Sequence, residues 1–136
     1  REMGVAGIGL NCATGPTEMS EHLRYLAHNA GLLLTCMPNA GLPQLTSDGA
    51  TYPLSPSELA DAHERFVSEY GLSLVGGCCG TTPEPLAAVV DRVGGNAVVE
   101  RDVVDEPSVS SLYQPVPLRQ DTTYLSIGER TNANGS

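Results

Sequence analysis

Three short apolar segments, each followed by a helix-forming segment, restrict the fold of this chain more than any other feature. The apolar segments cover residues 5–11, 32–36 and 72–75. After each of them, apolar residues recur at helical spacing, and in the third segment these residues, expected to form one buried face, are Leu86, Val89, Val90 and Val93. The three helical segments begin with a proline at the first position, where proline is favoured: Pro16, Pro56 and Pro83. Residues 55–58 of the second segment have the pattern of a capping box, and Gly71 is expected to end that helix. We therefore expect an α/β fold of order β-α-β-α-β-α, with a parallel sheet and right-handed crossovers.

Three such units are too few to close a barrel. They would suit the last three βα units of a (β/α)8 TIM barrel, or part of an open doubly wound sheet, and the pattern alone leaves both open. Residues 95–123 contain acidic residues and prolines with little periodicity, which is typical of an interdomain linker. A new strand is predicted at residues 123–127. The expected domains are therefore 1–94, a linker at 95–123, and the start of another domain at 124–136.

The charge and hydropathy of the chain exclude several classes of function. A net charge of −9 argues against nucleic acid as a partner and against an anionic membrane surface, since both require clustered Lys and Arg. No apolar run approaches the roughly 18 residues of a membrane span. The first residues contain neither an initiator Met nor the apolar stretch of a signal peptide. We expect a cytoplasmic protein, of which this chain is an internal piece.

Cysteines stand where the parallel strands are predicted to end. Cys12 follows the first strand, and Cys78 and Cys79 follow the third. Active sites of parallel α/β folds form at the carboxyl ends of the strands, so the three thiols are expected to converge there. Zinc favours thiolate ligands in a tetrahedral site, and three protein ligands leave the open position of a catalytic zinc. Glycines around the pair, Gly76, Gly77 and Gly80, would permit the sharp turn that this requires.

Other interpretations of the same residues stay open at this stage. Cys78 and Cys79 could form a vicinal disulfide, lie buried as thiols, or act as a redox pair. Cys36 also ends a strand, and we interpret it as a core residue. The three histidines, His22, His28 and His63, are expected on or beside polar helix faces, exposed to solvent. The long segment 37–54 lacks periodicity, and loops of this length are usually functional or mobile.

Three sequence motifs carry a resemblance to a known family. The segment Val75-Gly76-Gly77-Cys78-Cys79-Gly80-Thr81-Thr82-Pro83-Glu84 resembles the signature of homocysteine S-methyltransferases. The segments Gly9-Leu10-Asn11-Cys12 and Pro38-Asn39-Ala40-Gly41-Leu42-Pro43 resemble two further family motifs. The resemblance spans residues 4–94 and implies the last three strands of a (β/α)8 barrel. It also implies that Cys12, Cys78 and Cys79 bind Zn²⁺, and that the Asn39 side chain fills the fourth position until homocysteine displaces it.

The end of the chain carries a second resemblance. Residues 127–136 resemble the start of the methyltetrahydrofolate-binding barrel of cobalamin-dependent methionine synthases. This implies that zinc-held homocysteine accepts a methyl group from methylcobalamin, which 5-methyltetrahydrofolate regenerates. Both cofactors would be bound by other domains of the same chain. Glu129 and Asn132 would line the pterin pocket, or simply cap a strand. Alternatives are a betaine or S-methylmethionine donor, and a structural zinc module with Cys36 as fourth ligand.

Overall fold

The computed structural model describes residues 4–47, 49–103, 106–110, 115–119, 121–122 and 124. The chain divides into two compact units, Arg1–Val104 and Asp105–Ser136. The first unit contains strands β1 (Gly7–Asn11), β2 (Leu33–Met37), β3 (Gln44–Thr46), β4 (Gly49–Thr51) and β5 (Leu72–Val75), and helices α1 (Pro16–Asn29), α2 (Pro56–Tyr70) and α3 (Pro83–Val93). The mixed α/β class that the sequence predicts is confirmed.

A three-stranded parallel sheet is the centre of the first unit. The strand order is β1-β2-β5, so the two strands that precede the candidate cysteines lie on either side of β2. The pairing of β1 with β2 is regular from Gly7 opposite Leu33 to Asn11 opposite Met37. The pairing of β2 with β5 contains a register shift between Leu34 and Thr35. All three strands therefore run in one direction and end at the same edge of the sheet.

The helix boundaries follow local signals in the sequence. Helix α2 begins at the predicted capping box, in which the Ser55 side chain accepts a hydrogen bond from the Glu58 backbone N–H and the Glu58 carboxylate accepts one from the Ser55 backbone. It ends at Gly71, whose φ of 63° is a left-handed conformation that glycine adopts without strain. Helix α1 ends at Asn29 and α3 at Val93, each within two residues of a glycine.

The core lies between the sheet and the helices. Its main cluster joins α1, α2 and the strands, and consists of Met19, Leu23, Ala27, Leu34, Cys36, Phe66, Val67 and Leu72. A smaller cluster of Leu59, Ala60 and Val89 packs α2 against α3. Cys36 is fully buried, as predicted. Burial of apolar surface in these clusters fixes the helices against the strands and so fixes where the strands end.

Three expectations about local packing are wrong. The predicted structureless segment 37–54 contains the antiparallel hairpin β3–β4, whose residues are all exposed. On α3, Leu86 and Val90 are 39% and 64% exposed rather than part of a buried face. His63 is buried rather than solvated, because it lies on the same face of α2 as Leu59 and Phe66.

The first unit extends beyond residue 94 because Arg101 attaches to the end of α1. Its guanidinium donates hydrogen bonds to the carbonyl oxygens of Ala27, Ala30 and Leu32. These carbonyls lie at or beyond the carboxyl end of the helix, where acceptors lack helical partners and the helix dipole favours a cation. The interaction anchors the segment after α3 at the edge of the sheet opposite the cysteines.

The second unit contains a short antiparallel hairpin of β6 (Ser108–Ser110) and β7 (Pro115–Pro117). It falls within the segment that the sequence predicts to be a linker, and that interpretation stays a prediction. The predicted strand at 123–127, apart from Tyr124, and the proposed pterin residues Glu129 and Asn132 lie outside the described residues. Within the described part of the chain, no helix is long and apolar enough to cross a membrane.

Candidate metal centre

Three cysteine sulfurs converge at the carboxyl edge of the sheet. Cys12 directly follows β1, and Cys78 and Cys79 follow β5 after two glycines. The Sγ atoms of Cys12 and Cys79 are 3.7 Å apart, those of Cys78 and Cys79 are 3.9 Å apart, and all three lie within 4.8 Å of one another. All four cysteines of the chain are free thiols. At these distances the sulfurs are close without being bonded, since a disulfide is about 2.05 Å long.

The sulfur spacing fits a tetrahedral zinc site. With zinc–sulfur bonds of about 2.3 Å, two sulfurs of a tetrahedron are about 3.8 Å apart. The two sulfur–sulfur distances that involve Cys79, 3.7 and 3.9 Å, are close to that value. The cluster is half-exposed, with Cys79 the most accessible. The donor set therefore has the separation, the ligand type and the open side that a three-thiolate zinc site requires.

The backbone at the first cysteine is strained. Cys12 and Ala13 have φ values of 62° and 65°, a left-handed conformation that residues with a side chain rarely adopt. The Cys12 backbone N–H still donates to the Met37 carbonyl at 2.9 Å, which extends the β1–β2 ladder by one residue. The chain then turns away immediately, so the thiol lies above the end of the sheet. Strain of this kind persists where the surrounding structure enforces it, commonly at functional sites.

A network of hydrogen bonds holds the second cysteine segment. Asn39 is 4% exposed, and its side-chain oxygen accepts a hydrogen bond from the Cys79 backbone N–H at 3.2 Å. On either side of it, the Cys78 N–H donates to the Pro38 carbonyl and the Ala40 N–H donates to the Cys79 carbonyl, at 2.8 and 2.9 Å. The segment after β2 therefore fixes the position of both adjacent cysteines. Whether Asn39 also binds metal stays a prediction.

The glycines around the cysteine pair have different roles. Gly80 has a φ of 76°, and a Cβ atom there would overlap the Tyr52 ring. Gly77 has no positive φ, but a Cβ atom there would overlap the Thr81 side chain. Gly76 tolerates the space of a Cβ, with Met37 as its nearest neighbour at 3.5 Å. Only Gly80 thus needs the conformational freedom that the sequence suggested for all three, and Gly77 is required by close packing.

The electrostatics of the cluster favour one thiolate over three. The pKa of Cys12 is lowered, first by the Ala13 backbone N–H and then by the thiols of Cys78 and Cys79, which hydrogen-bond to its thiolate. The pKa of Cys78 is raised, first by its interaction with Cys12 and then by burial. Ionising one sulfur therefore opposes the ionisation of the next. A cation among the sulfurs would remove that opposition, because a metal-bound thiol is deprotonated.

Two polar side chains at the cluster were not anticipated from the sequence. The Asn11 side-chain amide donates to the Cys78 sulfur at 3.5 Å, which favours the thiolate form. Tyr52 reaches the cluster from the segment after β4, and its pKa is raised by burial and by the neighbouring Cys79 thiol. The position of Asn11 next to Cys12 in the same motif could have indicated its contact with the cluster. No sequence feature indicates the contact of Tyr52, since that contact depends on how the loop folds.

The remaining candidates do not join the cluster. Cys36 is buried, its sulfur lies 3.8 Å from the Met19 sulfur, and burial raises the pKa of its thiol to about 12. His22 and His28 are exposed on α1, as predicted. Among the described residues, Cys12, Cys78 and Cys79 form the one group of three or more Cys, His, Asp or Glu side chains close enough to share a metal ion.

The chain is similar to known proteins over nearly its whole length. The sequence model of the family described as Homocysteine S-methyltransferase matches residues 1–93. A protein described as Methionine synthase from Mycobacterium tuberculosis (strain ATCC 25618 / H37Rv) is 60% identical over 134 residues, covering 98% of this chain and 11% of that protein. Another with that description, from Mycobacterium leprae (strain TN), is 59% identical over 139 residues, covering 98% and 12%. The chain thus spans about one-ninth to one-eighth of the length of these curated relatives.

Proposed function

Because the chain belongs to the homocysteine S-methyltransferase family, we propose that its three clustered cysteines hold a catalytic Zn²⁺ that takes up the thiol of homocysteine. The observation that carries the proposal is the pair of sulfur–sulfur distances, 3.7 and 3.9 Å, which match the edge of a zinc–thiolate tetrahedron. Three protein ligands leave one position for a substrate sulfur. The exposed Cys79 lies on the side from which a substrate can approach.

The zinc, when bound, supplies a Lewis acid that keeps the homocysteine thiol deprotonated at neutral pH, where a free thiol is mostly protonated. The chain's own residues prepare that position. Cys12, Cys78 and Cys79 provide the thiolate ligands, and the Asn11 amide stabilises the charge on Cys78. Asn39 lies against the cysteine pair, and its side-chain oxygen is suited to fill the fourth position until the substrate sulfur displaces it.

The methyl donor in this proposal is methylcobalamin, regenerated from 5-methyltetrahydrofolate, and the product is methionine. The support is that both relatives are described as Methionine synthase, together with the motif at residues 127–136. Cobalamin and methyltetrahydrofolate would be bound by other domains of the same protein, with Glu129 and Asn132 assigned to the pterin pocket. Betaine or S-methylmethionine as donor remains the alternative within the same family.

The uncovered face of the sheet supports placing the three βα units at the end of a (β/α)8 barrel. Leu34 points toward the helices and is fully buried, whereas Leu33 and Leu74 point to the other face and are 56% and 54% exposed. In a closed barrel that face is interior and filled with apolar side chains. Among the described residues, β1 and β5 each pair along one side only. Closure of a barrel would pair these free edges.

A structural zinc module is the alternative from another class of function, and it requires a permanent fourth ligand. Cys36 was the candidate for that ligand. Its sulfur instead contacts Met19 within the core, on the side of the sheet covered by α1 and α2. This favours an open position at the metal, and with it a catalytic role. A redox role for Cys78 and Cys79 has no comparable support, since the Cys12 sulfur lies about as close to the Cys79 sulfur as the Cys78 sulfur does, so the three thiols form one cluster rather than a pair.

The test compares two cysteine variants of the full-length protein. Cys79→Ala removes one proposed ligand, and Cys36→Ala is the matched control, because it removes a thiol outside the cluster. We expect Cys79→Ala to lose both bound zinc, measured by elemental analysis, and methylation of homocysteine. Cys36→Ala should keep both, with some loss of stability from the cavity that it leaves. Full zinc occupancy in Cys79→Ala would show that the ligand assignment is wrong.

A further inference from the structure

His63 is a buried histidine that the proposed chemistry does not use. It is fully buried in the middle of α2, and its ring meets the Phe66 ring edge-on, with centroids 6.2 Å apart. Its Nε2 atom lies 2.8 Å from the carbonyl oxygen of Gly76. Its Nδ1 atom is buried and has no partner among the described residues. Burying a polar ring with one nitrogen unpaired is unfavourable. The presence of a histidine at this position, and of its one hydrogen bond, therefore requires an explanation.

The direction of this hydrogen bond is fixed by chemistry. A carbonyl oxygen can only accept, so Nε2 carries the proton and donates it to Gly76. With Nδ1 unpartnered, the neutral ring is the form that fits the buried position. The hydrogen bond links the centre of a rigid helix to the backbone two residues before Cys78.

The Gly76 carbonyl lies at a point where a hydrogen bond can restrict the backbone before the cysteine pair. It belongs to the peptide between Gly76 and Gly77, and glycine dihedrals are the least restricted of any residue. Before it, the Gly76 N–H donates to the Cys36 carbonyl at 3.1 Å, which continues the sheet. After it, the chain leaves the sheet toward Cys78 and Cys79. Among the described residues, no other side chain of α2 hydrogen-bonds to residues 76–81.

We propose that His63 is a positioning residue for the metal centre: by donating to the Gly76 carbonyl, it orients the Gly76–Gly77 peptide so that Cys78 and Cys79 converge on Cys12. The inference rests on the proposed zinc function. The histidine touches neither metal nor substrate. It holds the flexible Gly76–Gly77 peptide in the orientation that brings the three sulfurs together. Part of the backbone of the site is therefore ordered before the metal binds. Supports of this kind commonly change metal affinity by 10- to 100-fold.

The test measures zinc affinity in variants of the full-length protein by competition with a chromophoric chelator. His63→Met removes the donor and replaces it with a flexible apolar side chain that can fill the space. His63→Gln keeps a donor at about the position of Nε2. We expect His63→Met to bind zinc about tenfold more weakly than the wild type. His63→Gln should bind within about threefold of the wild type, since it retains the hydrogen bond.

A control separates positioning from general stabilisation. Leu23→Val alters a fully buried residue of the main core cluster on α1, and it should lower the free energy of unfolding while leaving zinc affinity unchanged. For His63→Met, the loss of unfolding free energy should be larger with zinc than without it, because weaker binding adds to the loss. His63→Leu repeats the comparison if the methionine variant folds poorly.

Three results would overturn the inference, and they have different meanings. If the wild type binds zinc and His63→Met binds it equally well, His63 only stabilises the fold, and the proposed function is unaffected. If the wild type itself binds no zinc, the proposed function fails and the positioning role fails with it. Equal weakening by His63→Met and His63→Gln would also contradict a role for the hydrogen bond.

Discussion

The side-chain oxygen of Asn39 accepts a hydrogen bond from the backbone N–H of Cys79, over 3.2 Å. The backbone N–H of Asn39 donates in turn to the Thr14 carbonyl, two residues after Cys12, at 3.0 Å. One buried residue therefore connects the two segments that carry the clustered cysteines. The same side chain is the proposed temporary ligand of the metal. Asn39 consequently has a structural role. Substitution of Asn39 should reveal that role whether or not the side chain also binds zinc.

Asn39→Ala should separate these two roles. The three thiolates remain, so we expect the full-length protein to retain bound zinc. The Cys79 N–H loses its acceptor, and because this hydrogen bond is only partly buried, the loss should cost about 1 kcal/mol of the free energy of unfolding. Asn39→Asp keeps an acceptor oxygen and should lose less. Elemental analysis and denaturant unfolding measure the two effects, and complete loss of zinc in Asn39→Ala would contradict a displaceable ligand.

Gly80→Ala should destabilise the protein for two reasons that a second substitution separates. The left-handed backbone costs about 1–2 kcal/mol for alanine, and the new Cβ atom overlaps the Tyr52 ring. In a Tyr52→Ala background the overlap is relieved, so only the backbone cost should remain. Denaturant unfolding of the four proteins gives the coupling between the two sites. Gly95→Ala is the control, since its Cβ atom would meet nothing within 4 Å.

If Gly80→Ala lowers the free energy of unfolding equally with and without the Tyr52 ring, the close packing of Tyr52 against Gly80 is contradicted. That result would mean that Tyr52 does not cover the turn after Cys79. The Gly95→Ala control should change the free energy of unfolding by no more than about 0.5 kcal/mol, as is usual for exposed positions.

The stability of the zinc-free protein should depend on His63 at mildly acidic pH. Burial lowers the pKa of His63 below its ordinary value of about 6.5, and the Gly76 hydrogen bond opposes the shift only in part. The unfolded chain therefore binds a proton more readily than the folded protein. The contribution of the neutral ring to stability is complete above about pH 6.5 and is lost as the pH falls through the lower folded pKa.

The free energy of unfolding should consequently fall more steeply below about pH 6.5 in the wild type than in His63→Gln, which cannot titrate. Denaturant unfolding without zinc measures this, since protonation of the cysteine ligands would otherwise release metal in acid. Leu23→Val, which lowers stability without removing a titratable group, should keep the wild-type slope. Parallel curves for the wild type and His63→Gln would mean that His63 does not titrate as a buried group.

Local signals were sufficient to predict the elements that build the sheet. Strand β5 has the predicted bounds, and α2 begins at its capping box and ends at Gly71, because these signals act within a few residues. The hairpin β3–β4 was missed, since all its residues are exposed and Leu45 is 90% exposed, so no buried face marks it. Elements without a buried face leave little periodicity in a sequence.

The clustering of the three cysteines was predictable from the sequence, but the residues that contact the cluster were not. That Cys12, Cys78 and Cys79 follow strands of one parallel sheet is readable from the order of elements, and the structure brings their sulfurs together. The burial of His63 could also have been inferred, since it lies four residues after Leu59 and three before Phe66 on one helical face. The prediction that His63 is exposed followed the polarity of the side chain and not its position on the helix. The contacts of Tyr52 depend on tertiary structure alone.

Zinc K-edge X-ray absorption of the full-length protein, recorded with and without homocysteine, tests the central claim most directly. The proposed site predicts three sulfur ligands and one oxygen in the free protein, and four sulfur ligands once homocysteine is bound. Four sulfur ligands in both states would identify a closed structural site and contradict the proposal.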